Sequence, residues 1–122
     1  MLRNDNDNIK ELIILDNKNS KNDNKRLVAT FKLKNGKTIR RKFGFSKALS
    51  TYADGANEEK RNAYIARHEV NEDFDNLITA GSLSKIVLWT FRKNNEIEKY
   101  YNRKYKIPKV KVDFKRRILF SR

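Results

Sequence analysis

The sequence predicts a small α+β domain, in which an antiparallel sheet of about three to four strands is packed by two to three helices. Two patterns favour this class. Residues 26–45 alternate apolar and polar side chains around an Asn-Gly pair, which is typical of a β-hairpin. Residues 57–68 and 95–107 begin at capping asparagines, which indicates helices. A chain of 122 residues fits one domain of ordinary size.

The N-terminal part of the chain contains one predicted strand. Residues 1–8 are polar and alternate Asn with Asp, and we predict that they are disordered. Residues 9–16 read IKELIILD and place apolar side chains on both faces of an extended segment, which favours a strand. Residues 17–24 contain no hydrophobic side chain, so we predict a loop there.

The register of the predicted hairpin follows from the side chains that must share a face. A two-residue loop at positions 35–36 would place Phe31 opposite Arg40 and mix the two faces. A three-residue loop at positions 34–36, with its glycine left-handed, places Phe31 opposite Ile39 and keeps one face apolar. We therefore predict the three-residue loop. The opposite face then carries four basic residues: Lys32, Lys34, Arg40 and Lys42.

The second half of the chain is predicted to hold the helices. Residues 57–68 have acidic side chains in the first turn and basic ones in the last, which complements the helix dipole. Residues 83–91 are apolar on most sides, so this helix should be buried. The helix from Asn95 ends at Pro108. We predict that its tyrosines and Trp89 belong to the core rather than to a base-stacking surface; these tyrosines are Tyr100, Tyr101 and Tyr105.

The C-terminal segment, residues 109–122, is predicted to be a basic arm or an edge strand. Residues 109–115 alternate basic or acidic side chains with apolar ones, as a half-buried strand does. No repeat, linker or second domain is visible. We therefore assign residues 9–108 to a single domain.

Charge is the main sequence guide to a partner. The chain has 29 Lys and Arg against 15 Asp and Glu, which gives a net charge of +14. Such an excess favours a polyanion, with nucleic acid as the first candidate and an anionic membrane surface or an acidic protein as the second. A charged surface that only contacts solvent is the alternative. The residues predicted to contact DNA are Lys32, Lys34, Arg40, Lys42, Arg103, Lys104, Lys109, Lys111, Lys115, Arg116 and Arg117.

Several classes of site are disfavoured by composition. Cysteine is absent and His68 is the single histidine, so we expect no disulfide, no zinc site and no cofactor. No Gly-rich phosphate loop and no helix-turn-helix signature is present. The first residues lack the apolar run of a secretory signal, and the run at 86–89 is too short to span a membrane. We expect an intracellular or virion protein that is not an enzyme.

One segment resembles a known family. It reads Tyr64-Ile-Ala-Arg67-His68, then Glu72-Asp73-Phe74, Thr79-Ala-Gly and Leu88-Trp89. This pattern resembles the shared core of a family of small, basic, uncharacterised proteins of nucleocytoplasmic large DNA viruses. The resemblance covers roughly residues 43–89 and implies a viral protein found in the virion and the infected host cell, without implying a mechanism. Phe74 stands where family members commonly have Trp.

The motif residues are interpreted as structural. These are Tyr64, Arg67, His68, Glu72, Asp73 and Trp89. In this interpretation Arg67 and His68 pair with the acidic side chains of the following turn. In the alternative they bind phosphate or act as acid and base.

The sequence thus favours a non-enzymatic viral protein that binds DNA non-specifically, as a virion or genome-packaging component. One alternative is a minor capsid or scaffold component that docks on acidic viral or host proteins. It would use the apolar residues of the tail, which are Val110, Val112, Phe114, Ile118 and Phe120. A less favoured alternative is a metal-dependent nuclease that uses Glu72 or Asp73.

Overall fold

The computed structural model describes residues 6–47, 51–70 and 73–116 of the chain, which form a four-stranded sheet with helices against one face. The strands are β1 (Ile9–Asp16), β2 (Lys25–Leu33), β3 (Thr38–Phe45) and β4 (Lys109–Asp113). The helices are α1 (Ser20–Asp23), α2 (Glu58–Glu69), α3 (Ala80–Leu83), which continues into a π-helical turn (Ser84–Leu88), and α4 (Asn94–Tyr105). Short 3₁₀ turns lie at Asn6–Asn8 and Tyr52–Asp54.

The sheet has the order β3-β2-β1-β4 and confirms the α+β class. β1, β2 and β3 are antiparallel, but β4 runs parallel to β1, so the sheet is mixed rather than antiparallel throughout. The cause is the connection that brings β4 back to the sheet. A parallel neighbour requires a crossover, and the chain returns to β1 through the helical region that ends in α4.

The hairpin adopts the predicted register. Phe31 pairs with Ile39, and Leu27 pairs with Phe43. The Leu33 amide donates to the Lys37 carbonyl at 2.8 Å and closes a three-residue loop. Its glycine has a φ of +92°, a left-handed conformation that glycine adopts without steric cost. The local prediction succeeded because one apolar face and one turn residue permit a single register.

The core lies between one face of the sheet and the helices. Side chains of all four strands point into it: Leu12, Ile14, Leu27, Phe31, Phe43 and Val112. Ile97 and Tyr101 of α4 are fully buried against them. Trp89 is partly buried and packs on the same cluster, as do the other two tyrosines of α4. Tyr101 is thus a core residue as predicted, whereas Trp89, Tyr100 and Tyr105 border the core and keep part of their surface exposed.

The N-terminal end of the described chain is more ordered than the sequence predicted, and the C-terminal end follows one of its two predicted forms. Residues 1–8 were expected to be disordered, yet Asn6–Asn8 form a 3₁₀ turn, while residues 1–5 lie outside the described part. The turn is fixed because the Asn6 side chain donates to the Asp75 carbonyl at 2.6 Å and accepts from the Leu77 amide at 3.0 Å. At the other end, the edge-strand interpretation holds for β4, and residues 117–122 lie outside the described part.

A buried ion pair joins three distant parts of the chain. Arg26 of β2 donates to both carboxylate oxygens of Asp54, at 2.6 and 2.8 Å, and the two side chains are 2% and 0% exposed. The Thr51 hydroxyl also donates to Asp54, at 2.7 Å. The same guanidinium donates to the Lys115 carbonyl at 3.1 Å and lies 5.7 Å from the Phe114 ring centroid. β2, the turn before α2 and the chain after β4 therefore meet at one charged group.

A second ion pair lies at the surface between α1 and β3. Lys42 Nζ donates to an Asp23 carboxylate oxygen at 2.6 Å. The other carboxylate oxygen accepts from the Asn17 side chain at 3.0 Å and from the Lys25 amide at 3.1 Å. These donors, Lys42 first, lower the pKa of Asp23 to about 2.

Replacing Asp54 with Ala should lower the free energy of unfolding by about 3–5 kcal/mol, because the buried Arg26 charge loses its partner. Urea denaturation followed by circular dichroism measures the change. The double variant Arg26→Met/Asp54→Leu is the control and should recover most of the loss, because it buries no charge. A loss below about 1 kcal/mol in Asp54→Ala would show that the pair does not hold these segments.

The Asp23 carboxylate should make folding stability depend on pH in the acid range. Its pKa in the folded state lies below the ordinary value of 3.8, so its contribution is complete above about pH 4 and is lost as the pH falls towards 2. The difference in unfolding free energy between the wild type and Asp23→Asn should therefore shrink between pH 5 and pH 2. A difference that stays constant over this range would contradict the assignment.

Candidate nucleic-acid interface

The sheet face opposite the core collects basic residues from both edges. Strand pairing aligns Arg40 of β3 with Thr30 and Ile13, and Ile13 with Lys111 of β4. Side chains paired across strands project to the same face. The next row contains Thr38, Lys32, Glu11 and Lys109. We call this surface the basic sheet face and define it by five residues: Lys32, Arg40, Lys42, Lys109 and Lys111.

Basic residues of the hairpin and of β4 thus lie on one surface, although 67 or more positions of the chain separate Lys32, Arg40 and Lys42 from Lys109. Arg40, Lys32, Lys109 and Lys111 are exposed, and Lys42 is half-buried. The two edges of the face are about 14 Å apart, since three strand spacings of about 4.8 Å separate them. Phosphates of one nucleic-acid segment can contact both edges across that distance.

Carboxylates neutralise part of this face. Lys42 is held by Asp23, while the contact of Lys32 with Glu11, at 3.7 Å, joins two partly exposed side chains and is weak. Arg40, Lys109 and Lys111 have no carboxylate oxygen within 4 Å among residues 6–47, 51–70 and 73–116. They are therefore the cations most available to a polyanion.

The centre of the basic sheet face is apolar. Ile13 is half-buried, Leu15 is 38% exposed, and Val28 lies beside Leu15 in the adjacent strand. The face is therefore arranged as a basic edge, an apolar centre and a second basic edge. None of its side chains forms the aromatic platform that a sheet uses to stack bases, since the described rings lie elsewhere.

One end of the basic sheet face is concave. A groove of about 370 Å³ is lined by Lys10, Glu11, Lys32, Pro108 and Lys109. Lys10 was not predicted as a contact residue. The pairing register shifts between Ile9 and Glu11, and such a bulge redirects the extra side chain. Because apolar side chains lie on both faces of residues 9–16, the sequence shows no break in pattern that would mark this shift, and it carried no clear signal for Lys10.

The other predicted basic residues lie apart from this face. Arg103 and Lys104 are on α4, where they line a separate groove of about 460 Å³ beside Phe91 and Tyr100. Lys104 Nζ donates to the Tyr100 hydroxyl at 3.2 Å, and this bond raises the pKa of Lys104. Lys34 lies in the hairpin loop rather than within a strand. Arg103 and Lys104 of α4 therefore lie on a different surface from the basic residues of the hairpin.

Arg116 differs most from its predicted role. It is half-buried, its Nη1 donates to the Asn94 side chain, and its guanidinium lies 4.6 Å from the Phe114 ring centroid. Burial lowers the pKa of Arg116 below its ordinary value. Arg116 is thus used inside the molecule, whereas the Lys115 side chain is exposed and Arg117 lies outside the described residues.

The motif residues Tyr64, His68 and Trp89 form a stack of three rings. Tyr64 lies between the other two, at 4.3 Å from Trp89 with an interplanar angle of 6° and at 4.2 Å from His68. This stack attaches α2 to the π-helical region. His68 therefore contacts Tyr64 through ring stacking, and its interpretation as a structural residue stays a prediction.

Among the described residues, the predicted pairing of Arg67 is not formed with Asp73 or Asp75, and its pairing with Glu72 stays a prediction. Within the described ranges no ion pair joins exposed Arg67 to Asp73 or Asp75, and Glu72 lies outside those ranges. Asp73 instead accepts the Asp75 amide at 3.0 Å and shapes its own turn. Arg67 lies on the same side of α2 as Tyr64, and both line a pocket with Trp89.

Three motif residues, Tyr64, Arg67 and Trp89, line a pocket of about 280 Å³ between the end of β3, α2 and the π-helical turn. We call it the motif pocket, and its lining consists of Gly44, Phe45, Thr51, Tyr64, Arg67, Ser84, Leu88 and Trp89. It shares no residue with the basic sheet face. The sequence singled out three of its residues through the family motif but gave no sign that a cavity joins them to β3.

Two further findings concern other kinds of site. Among the described residues, no three His, Asp or Glu side chains come together in a way that would hold a metal ion. In that same part of the chain, no helix combines the length and the apolar character needed to cross a bilayer.

Comparisons with known proteins give one family. Residues 16–68 match a family of unknown function, DUF5754. This range runs from the last residue of β1 into α2, so it includes the hairpin and Tyr64 but ends before Trp89. Neither the curated proteins nor the solved structures gave a match. Over less than half of its length, the chain is therefore similar to a family without an assigned function.

Proposed function

We propose that this protein is a non-enzymatic DNA-binding protein that contacts the phosphate backbone without sequence preference, through the basic sheet face. One observation carries the proposal: basic residues from the hairpin and from β4 lie on one exposed face. Arg40, Lys109 and Lys111 are free of carboxylate partners among the described residues. Cations in such an arrangement attract a polyanion along both edges of the sheet.

The type of contact follows from the chemistry of this face. Lysine and arginine side chains neutralise phosphates and release counterions, which gives affinity independent of sequence. Sequence selection requires side chains that reach base edges in a groove. The centre of the face offers Ile13, Leu15 and Val28, which provide no such hydrogen bonds. Duplexes of different sequence should therefore bind equally.

The biological setting of the proposal is a virion or genome-packaging component of a nucleocytoplasmic large DNA virus, present in the virion and the infected cell. Its support is the resemblance of the motif from Tyr64 to Trp89 together with the net charge of +14. A compact chain with that charge repels itself, and a packaged genome supplies the compensating anion.

The second candidate is a capsid or scaffold protein that docks on an acidic protein. Those of the expected docking residues that the structure describes cannot form its docking surface, and another surface has to take their place. Of the tail residues expected to dock, Val112 and Phe114 are buried in the core and Val110 packs against it, while Ile118 and Phe120 lie outside the described residues. The apolar centre of the basic sheet face, with Leu15 38% exposed, is the surface that favours this candidate.

Removing three cations from the basic sheet face should flatten the salt dependence of DNA binding. The triple variant Arg40→Gln/Lys109→Gln/Lys111→Gln should reduce the magnitude of the slope of log K against log salt by about 3, because each phosphate contact contributes roughly 0.9. Fluorescence anisotropy of a labelled random-sequence duplex at several salt concentrations measures this slope.

A matched triple variant controls for net charge. Lys60, Lys93 and Lys99 are exposed residues outside the basic sheet face, and changing them to Gln removes the same charge. This variant should keep the wild-type slope. If both variants reduce the slope equally, the basic sheet face is not the binding surface. If the wild type does not bind the duplex at low salt, the DNA proposal is refuted and a protein partner is favoured.

A further inference from the structure

The motif pocket combines aromatic rings with a cation. Phe45, Tyr64 and Trp89 contribute rings. Both faces of Tyr64 are already covered by His68 and Trp89, so Phe45, which is 55% exposed, and Trp89 are the rings that a ligand can contact. Arg67, which is also exposed, contributes a guanidinium, and Ser84 contributes a hydroxyl. A volume of about 280 Å³ lies just below the usual range for drug-sized ligands, so the pocket suits one small planar group.

Two backbone features build this pocket. Gly44 has a φ of +77°, a left-handed conformation that other residues rarely adopt, and a Cβ at this position would lie 3.0 Å from Leu88 Cδ1, so a larger residue would strain the backbone and crowd Leu88. The second feature is the π-helical turn Ser84–Leu88, which packs against Gly44 of β3 through Leu88. The Thr90 hydroxyl closes this turn by donating to the Lys85 carbonyl at 2.7 Å. Wide turns of this kind occur frequently at functional sites, and here the turn ends at Trp89.

We propose that the motif pocket binds an unpaired nucleobase of single-stranded DNA, while Arg67 contacts a neighbouring phosphate. Aromatic rings beside a basic side chain are the combination with which proteins hold single strands, because every base has a stacking face. A base in a duplex is already stacked on its neighbours, so duplex DNA would not enter. The inference rests on the proposed function, since it assumes that the polyanion is DNA.

The two sites would then serve different forms of DNA. The basic sheet face binds backbone phosphates in either form, whereas the motif pocket adds affinity only for strands with free bases. Because the two surfaces share no residue, each can be removed without altering the other.

Trp89 supplies a direct readout, because it is the only tryptophan in the chain and it lines the pocket. A base stacked beside it should quench its emission, whereas a duplex on the sheet face should not. The probes are a labelled single-stranded oligonucleotide of mixed sequence and its duplex, and the measurements are Trp89 emission and anisotropy of the label.

Phe45→Ala should weaken single-strand binding by about 5-fold to 150-fold, which corresponds to the 1–3 kcal/mol typical of one stacked base. Its affinity for the duplex should not change. Arg67→Gln should weaken single-strand binding and reduce the salt slope by about 1. Val70→Ala removes an exposed apolar side chain at the end of α2, outside the pocket, and should behave as the wild type.

The outcomes separate this inference from the proposed function. If the single strand raises the anisotropy without quenching Trp89, and Phe45→Ala binds it as the wild type does, the pocket assignment is overturned while DNA binding stands. If neither form of DNA binds at low salt, the proposed function fails and the pocket inference fails with it. Because Phe45 and Arg67 are exposed, their variants should fold, which circular dichroism checks.

Discussion

The buried pair of Arg26 and Asp54 is the constraint on which both candidate surfaces depend. Through it, β2 is linked to the turn that precedes α2 and to the chain that leaves β4. The first link positions Tyr64 beside Trp89, and the second fixes β4 as an edge strand, with its lysines on the same face as those of the hairpin. A buried ion pair adds little net stability because its desolvation is costly, but its fixed geometry favours one arrangement of these segments over others.

The distribution of charge explains why net charge alone is a poor guide to the binding surface. Arg26 and Arg116 are cations used inside the molecule, one against a carboxylate and the other against an aromatic ring and an amide. Lys42 and Lys104 are also engaged, with Asp23 and Tyr100. What remains for a polyanion is a smaller set at the two edges of the sheet, where neighbouring carboxylates are few among the described residues.

Local patterns in the sequence predicted local structure well. β1 follows from its short run of apolar side chains. The register of the hairpin follows from alternation and from one glycine-containing turn, because a slip of one residue would expose Phe31. The parallel pairing of β4 with β1 was not predicted, since it joins residues about a hundred positions apart and no turn specifies it. Helical periodicity also cannot distinguish an α-helix from the π-helical turn at Ser84–Leu88, so the motif pocket was missed even though the motif itself was noticed.

The way in which α2 is attached makes the motif pocket separable from the fold. No residue of α2 is fully buried, and its described contacts include ring stacking of Tyr64 and His68 rather than insertion into the core. The sheet and α4 hold the core independently of it. Beyond the buried pair that both surfaces share, the shape of the pocket therefore depends on a few aromatic contacts at the surface of the domain, whereas the basic sheet face depends mainly on strand pairing. A ligand that stacks in the pocket would add to those contacts and tighten α2 onto the body, which couples occupancy of the pocket to the order of α2 without moving the sheet.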